Sequence, residues 1–208
     1  MSGQSAGNAR IHRRDLAKQI ISRAEQAGAL VITGLGSTAW DSAAAGDRDL
    51  TFPLWGAMGG AAAMGFGLAQ AQPDRQVIVM TGDGEMLMGV GTFATIGAKQ
   101  PDNLSIAVFD NEHYGETGMQ AGHSGGRTDM ALMARGGGIA DAELVTSPDD
   151  MTGAVDALFG RGDGPIVRIF KIEVEDLPLV MPPKDGAWLK DRFRRALLGE
   201  KQAADLRG

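Results

Sequence analysis

Gln76-Val77-Ile78-Val79-Met80-Thr81-Gly82-Asp83-Gly84 runs apolar and β-branched residues straight into a carboxylate set between two glycines. The run does not alternate between apolar and polar residues. It is the pattern of a strand covered on both faces, as in the middle of a parallel sheet. In such sheets ligands bind beyond the carboxyl ends of the strands. Asp83 is therefore presented where a ligand is expected, and the flanking glycines allow close approach to the backbone.

The same pattern recurs on either side. Apolar strands are predicted over 29–33, 104–110, 143–146 and 165–171, and helices over 11–28, 56–70, 86–99, 129–135 and 148–159. Gly28 is placed to end the first helix, and Pro148 to begin the last of these. Alternating strands and helices imply an α/β fold: a doubly wound parallel sheet with helices on both faces and right-handed crossovers. A further segment, 187–198, sets Leu189, Phe193, Ala196 and Leu197 on one face, and is read as a docking helix. The polar ends, 4–8 and 202–208, are expected to lack structure.

With 208 residues, 43% of them hydrophobic, the chain supports one domain spanning 1–208. Its 31 glycines have no three-residue period, which excludes collagen and points to tight turns. A net charge of -6 gives no basic footprint for nucleic acid. The seven basic against four acidic residues from Lys184 onward are read as a solvated helix face. No apolar stretch approaches the ~20 residues of a membrane span, the start lacks the apolar core of a secretory leader, and cysteine is absent. A cytoplasmic protein is expected.

The strand over 104–110 ends on Asp110-Asn111, and Asn111 stands 28 positions after Asp83, which one helix and one parallel strand can span. Two oxygen ligands at neighbouring strand ends suit Mg2+, which shares its six positions between protein and phosphate oxygens. Gly82-Asp83-Gly84, Asn111 and the following Tyr114-Gly115 resemble the signature of thiamine diphosphate-dependent 2-oxo acid decarboxylases. The resemblance extends over 29–171, is to the diphosphate-binding domain of that family, and is strongest for members acting on short anionic 2-oxo acids. It implies that Asp83, Asn111 and the main-chain carbonyl of His113 hold Mg2+, with Gly82, Gly84, Tyr114 and Gly115 beside the cofactor. Asp110 stands where many members have asparagine. Glu85 stands where many have serine or alanine, and it must turn away from the diphosphate or cap a helix.

The resemblance also implies that Met58 wedges between the two rings of the cofactor, that the Gly56 carbonyl meets the aminopyrimidine, and that Ser37 and Thr38 donate to the phosphates. Gly34-Leu35-Gly36-Ser37-Thr38-Ala39 also fits a loose dinucleotide fingerprint, although no acidic residue closes a second strand about 20 positions on. A nucleotide-binding regulatory module therefore stays an alternative, as does a scaffold subunit without catalysis.

The polar run 111–124 follows the metal loop and is expected to cover the site. Glu116, Thr117 and Gln120 are candidates for cofactor or substrate contacts, and His123 and Arg127 for holding an anionic head group. Family members need a glutamate that protonates the aminopyrimidine, and that glutamate lies on a separate pyrimidine-binding domain. The resemblance thus implies an α-type partner subunit supplying the glutamate, a hetero-oligomer, and a sulfopyruvate- or phosphonopyruvate-like substrate. The same half-site could serve carboligation or oxidation.

Overall fold

The computed structural model describes residues 10–205. Six parallel strands form one sheet in the order β2-β1-β3-β4-β8-β7. They are β1 (Leu30–Thr33), β2 (Thr51–Pro53), β3 (Val77–Gly82), β4 (Leu104–Asp110), β7 (Asp141–Val145) and β8 (Ile166–Lys171). β5 (His113–Tyr114) and β6 (Gln120–Ala121) make a small antiparallel hairpin above it. The chain leaves β1 for edge strand β2 and returns on the other side of β1 as β3. The carboxyl ends of β1 and β3 therefore flank a topological switch point, where ligands of such sheets bind.

Both faces of the sheet are covered. Val77, Val79, Ile106 and Val108 face a core shared with α3 (Ala61–Ala71), α5 (Thr92–Lys99) and α6 (Met130–Gly136). Ile78, Met80, Ala107 and Phe109 face a second core, built with α1 (Arg13–Ala27) and α7 (Pro148–Ala157). Successive residues of one strand thus enter opposite cores, which is why β3 and β4 are mostly apolar, with Thr81, Ser105 and Asp110 their polar residues. The small residues of α3 let it lie close on the sheet: a Cβ at Gly65 would fall 2.2 Å from Val79 Cγ2.

The sequence missed α2 (Ser37–Ala45) and β2, both short and weakly patterned. The helix expected over 56–70 begins only at Ala61, because Gly56 and Gly59 take positive φ of 68° and 85°. The helix expected over 86–99 is two: α4 (Asp83–Met88) starts on Asp83 itself and ends at Gly89, before α5. A Cβ at Gly89 would meet the Gly59 carbonyl oxygen at 2.2 Å.

Gly28 ends α1 with φ 60°, its amide donating to the carbonyls of Ala24 and Glu25. Residues 4–8 and 206–208 lie outside the described residues. Residues 200–205, expected in part to be unstructured, form α9 (Glu200–Asp205), on which Ala203 is buried.

The apolar face of α8 (Gly186–Leu198) is turned inward onto this chain's own sheet edge. Leu189 and Phe193 are buried, and Phe193 meets Phe52 edge-to-face at 5.8 Å. Ala196 is exposed. Among the described residues, no helix is long and apolar enough to cross a membrane.

Candidate active site

A cavity of about 700 Å3 opens at the carboxyl edge of the sheet, over the ends of β1, β3 and β4. Its floor holds Gly82, Asp83, Gly84 and Glu85 at the start of α4, with Asn111, His113, Tyr114 and Gly115 from the loop after β4. Ser37 at the start of α2 and the half-exposed side chain of Met58 face the same space, as do Glu116 and Thr117.

Asp83 is 4% exposed. Its Oδ2 accepts the Ser124 hydroxyl at 2.6 Å. Burial raises its carboxyl pKa to about 6, and the charge of Asp110 adds to the rise, against the hydrogen bonds from Ser124 and the Gly84 amide. A buried carboxylate with this environment, facing a cavity, is a place where a divalent cation would offset the cost of burial. Asn111 Oδ1 accepts the His113 amide at 2.9 Å, and the His113 ring Nδ1 lies 2.8 Å from the Asn111 carbonyl. This closes a local turn that fixes Asn111 while its amide oxygen keeps a second lone pair.

Glu85 turns away from the cavity centre. It is 4% exposed, and its Oε2 accepts the Thr81 hydroxyl at 2.7 Å. The carboxylate lies in the space that a side chain on residue 34 would take: a Cβ there would fall 1.6 Å from Oε2. Burial raises its pKa, and the Thr81 hydroxyl and the amides of Leu35, Gly59 and Gly82 counter that rise. Its Oε1 has no partner of hydrogen-bond geometry among the described residues. Glu85 thus joins the turn after β1, the end of β3 and the turn before α3.

Several expected site residues fall elsewhere. Thr38 is fully buried and donates to the Gly34 carbonyl at 3.3 Å, so its hydroxyl closes the turn and does not face the cavity. Gly56 is exposed and outside the cavity wall. Gln120 folds back on Thr117, donating to its carbonyl at 2.7 Å, and does not line the cavity. His123 is exposed and stands edge-on to Tyr114 at 6.3 Å, and Arg127 is exposed, so neither reaches the cavity. In this second limb of the loop it is Ser124, buried, that turns inward to Asp83, while Gln120, His123 and Arg127 are exposed.

The sequence reading also missed one whole wall. Beyond β8 the chain runs without regular structure past the site, and all of 173–179 except Pro178 line the cavity. Arg14 donates to the Pro178 carbonyl, and the Arg13 amide to Glu175 at 3.0 Å. The Trp55 indole donates to the Pro183 carbonyl at 3.1 Å. Such a strap has no periodicity to reveal it. β2 ends on Pro53 with no acidic residue, so the alternative of a dinucleotide site lacks its ribose partner.

A family described as "Thiamine pyrophosphate enzyme, C-terminal TPP binding domain" matches residues 36–169. The sulfopyruvate decarboxylase subunit beta of Methanococcus maripaludis is 32% identical over 170 residues, 81% of this chain and 89% of that subunit. The subunit of the same name from Methanocaldococcus jannaschii is 35% identical over 127 residues, 61% of this chain and 66% of that one. Phosphonopyruvate decarboxylase of Streptomyces viridochromogenes is 37% identical over 167 residues, 80% of this chain but only 41% of that protein. The chain thus spans about two thirds and two fifths of the last two. Among solved structures, the thiamine diphosphate-dependent 4-hydroxybenzoylformate decarboxylase of Rhodococcus jostii RHA1 superposes with a TM-score of 0.66 at 18% identity. That match covers 85% of this chain and 35% of that one, and shows a shared fold.

Proposed function

The chain belongs to the thiamine pyrophosphate enzymes, carrying their C-terminal TPP-binding domain, and from that premise we propose that it is the diphosphate- and Mg2+-binding subunit of a two-subunit decarboxylase. Its substrate is a small anionic 2-oxo acid of the sulfopyruvate or phosphonopyruvate kind, and its products are an aldehyde and CO2. The observation that carries this reading is Asp83, a buried carboxylate beside Asn111 at adjoining strand ends, under a cavity of about 700 Å3 at the switch point of the sheet. The names of the relatives support the reaction and the division into subunits.

The residues present fit the cofactor. Asp83, Asn111 and the His113 carbonyl are the oxygen ligands for Mg2+. Ser37, the first turn of α2 and the Gly84 backbone receive the diphosphate, as helix starts with free amides do. Met58, half-exposed and lining the cavity, would be an apolar support for the cofactor's rings, whereas Gly56, outside the cavity wall, is not placed to meet it. Bound thiamine diphosphate supplies the nucleophilic carbon and the electron sink for loss of CO2. This chain's share is to bind and orient, with Tyr114, Glu116 and the 173–179 strap screening the site from water. A pyrimidine-binding α-type subunit would supply the glutamate that faces the aminopyrimidine, giving a hetero-oligomer.

The test is product release by the copurified two-subunit complex, offered sulfopyruvate and phosphonopyruvate with thiamine diphosphate and Mg2+. CO2 and the matching aldehyde are expected from the complex and neither from this chain alone. CO2 accompanied by an acyloin and no free aldehyde would instead make the reaction a carboligation.

A further inference from the structure

Glu112, between the two loop residues assigned to the metal, has a φ of 64°. A residue with a Cβ holds that left-handed conformation only where its surroundings impose it. Here four contacts do so. Its amide donates to Asp110 Oδ1 at 3.1 Å, and its carbonyl accepts the Gly122 amide at 2.6 Å. Its Oε1 accepts Lys171 Nζ at 2.7 Å, and its Oε2 accepts the Arg10 guanidinium at 2.8 Å.

Lys171 gathers these contacts. It ends β8 directly beside Asp110, which ends β4. Its ammonium pairs with Asp110 Oδ2 at 2.8 Å and Glu112 Oε1 at 2.7 Å, and donates to the Ser124 carbonyl at 3.1 Å. Ser124 in turn donates its hydroxyl to Asp83. One cation therefore ties the end of β4, both limbs of the loop, and the side chain that orients Asp83. The departure from the family pattern at Asp110 is matched in charge by this lysine. Burial of Lys171 alone would lower its pKa, but the hydrogen bonds to Asp110 and Glu112 raise it overall. Neither Lys171 nor Glu112 lines the cavity.

We propose that Lys171 and Glu112 form a latch that sets the positions of Asp83, Asn111 and the His113 carbonyl for the metal. They are positioning residues, and the proposal rests on the cofactor reading above. Its sign separates it from a purely electrostatic role. Removing the Lys171 charge leaves Asp110 and Glu112 less compensated next to Asp83, which by Coulomb attraction alone would tighten a divalent cation. Loss of the latch loosens it.

The probe is Mn2+, titrated into the copurified complex with thiamine diphosphate and followed by the resonance of the free ion. Lys171→Met should raise the apparent Kd for Mn2+ about tenfold or more, with Lys171→Arg restoring it to within about threefold of wild type. Turnover at saturating metal should largely recover, so that metal affinity moves and kcat does not. Glu112→Gln, on a loop outside the sheet, should shift the Kd in the same direction, and it carries the test if Lys171→Met does not fold. Wild-type affinity that either variant leaves unchanged or tightens overturns the latch. No Mn2+ binding by the wild-type complex overturns the cofactor reading and the latch with it.

Discussion

At the scale of single residues the site turns on Asp83. Its folded pKa of about 6 lies above the ~3.9 of an unfolded aspartate. The neutral acid therefore stabilises the metal-free fold below about pH 4, and this contribution is lost as pH rises through about 6. Mg2+ requires the carboxylate, so below pH 6 it must displace a proton. The rise in melting temperature produced by a fixed Mg2+ concentration, with thiamine diphosphate present, should be small at pH 5 and full by pH 7. An equal rise at both pH values contradicts the assignment. Ser124→Ala, which removes the hydroxyl that orients this carboxylate, should weaken Mg2+ binding about 10- to 100-fold in a metal titration.

Glu85 supplies a second residue-scale prediction. Gly34→Ala puts a methyl 1.6 Å from the Glu85 carboxylate, so it should abolish thiamine diphosphate binding. Adding Glu85→Ala should restore part of it, because the methyl then occupies the vacated space. Additive losses in the double variant would show that the two residues do not share that space. The position of Asp83 and Asn111 at adjoining strand ends was legible in the sequence, because an apolar run that stops at a glycine pair or at Asp-Asn marks where a strand ends. The inward turn of Glu85 and the burial of Thr38 were not, since side-chain direction depends on neighbours from β1 and α3 that are distant in sequence.

Among the elements, β3 and β4 were readable to within a residue, because burial on both faces leaves few polar positions in their runs. α2 and β2 were not. Trp40 and the alanines of α2 give little contrast between faces, and three-residue β2 is too short for any period. α8 was correctly seen as amphipathic, but amphipathicity cannot say whose core receives the apolar face. Here Phe193 fills this chain's own core beside Phe52. Phe193→Ala should therefore destabilise the isolated chain by about 3–5 kcal/mol in denaturant unfolding. A variant that unfolds like wild type but no longer copurifies with a partner would restore the docking role.

For the whole molecule, one sheet edge brings residues as far apart in sequence as Arg13 and Leu179 around one cavity. The doubly wound class, and the placement of Asp83 and Asn111 after adjoining strands beside one cavity, follow from a few strands and their turns, so both were visible in the sequence. The strap over 173–179, the Lys171 latch and the Ser124 contact arise only when distant segments meet, and no local pattern encodes them. In the function proposed above, a second chain supplies the other half of the chemistry and this one's residues address metal and diphosphate.

Calorimetric titration of thiamine diphosphate into the copurified complex, with and without Mg2+, tests that claim most directly. Saturable binding that requires Mg2+ in the wild type and disappears in Asp83→Ala is the predicted result. Binding of equal strength without Mg2+, or unchanged by Asp83→Ala, would contradict it.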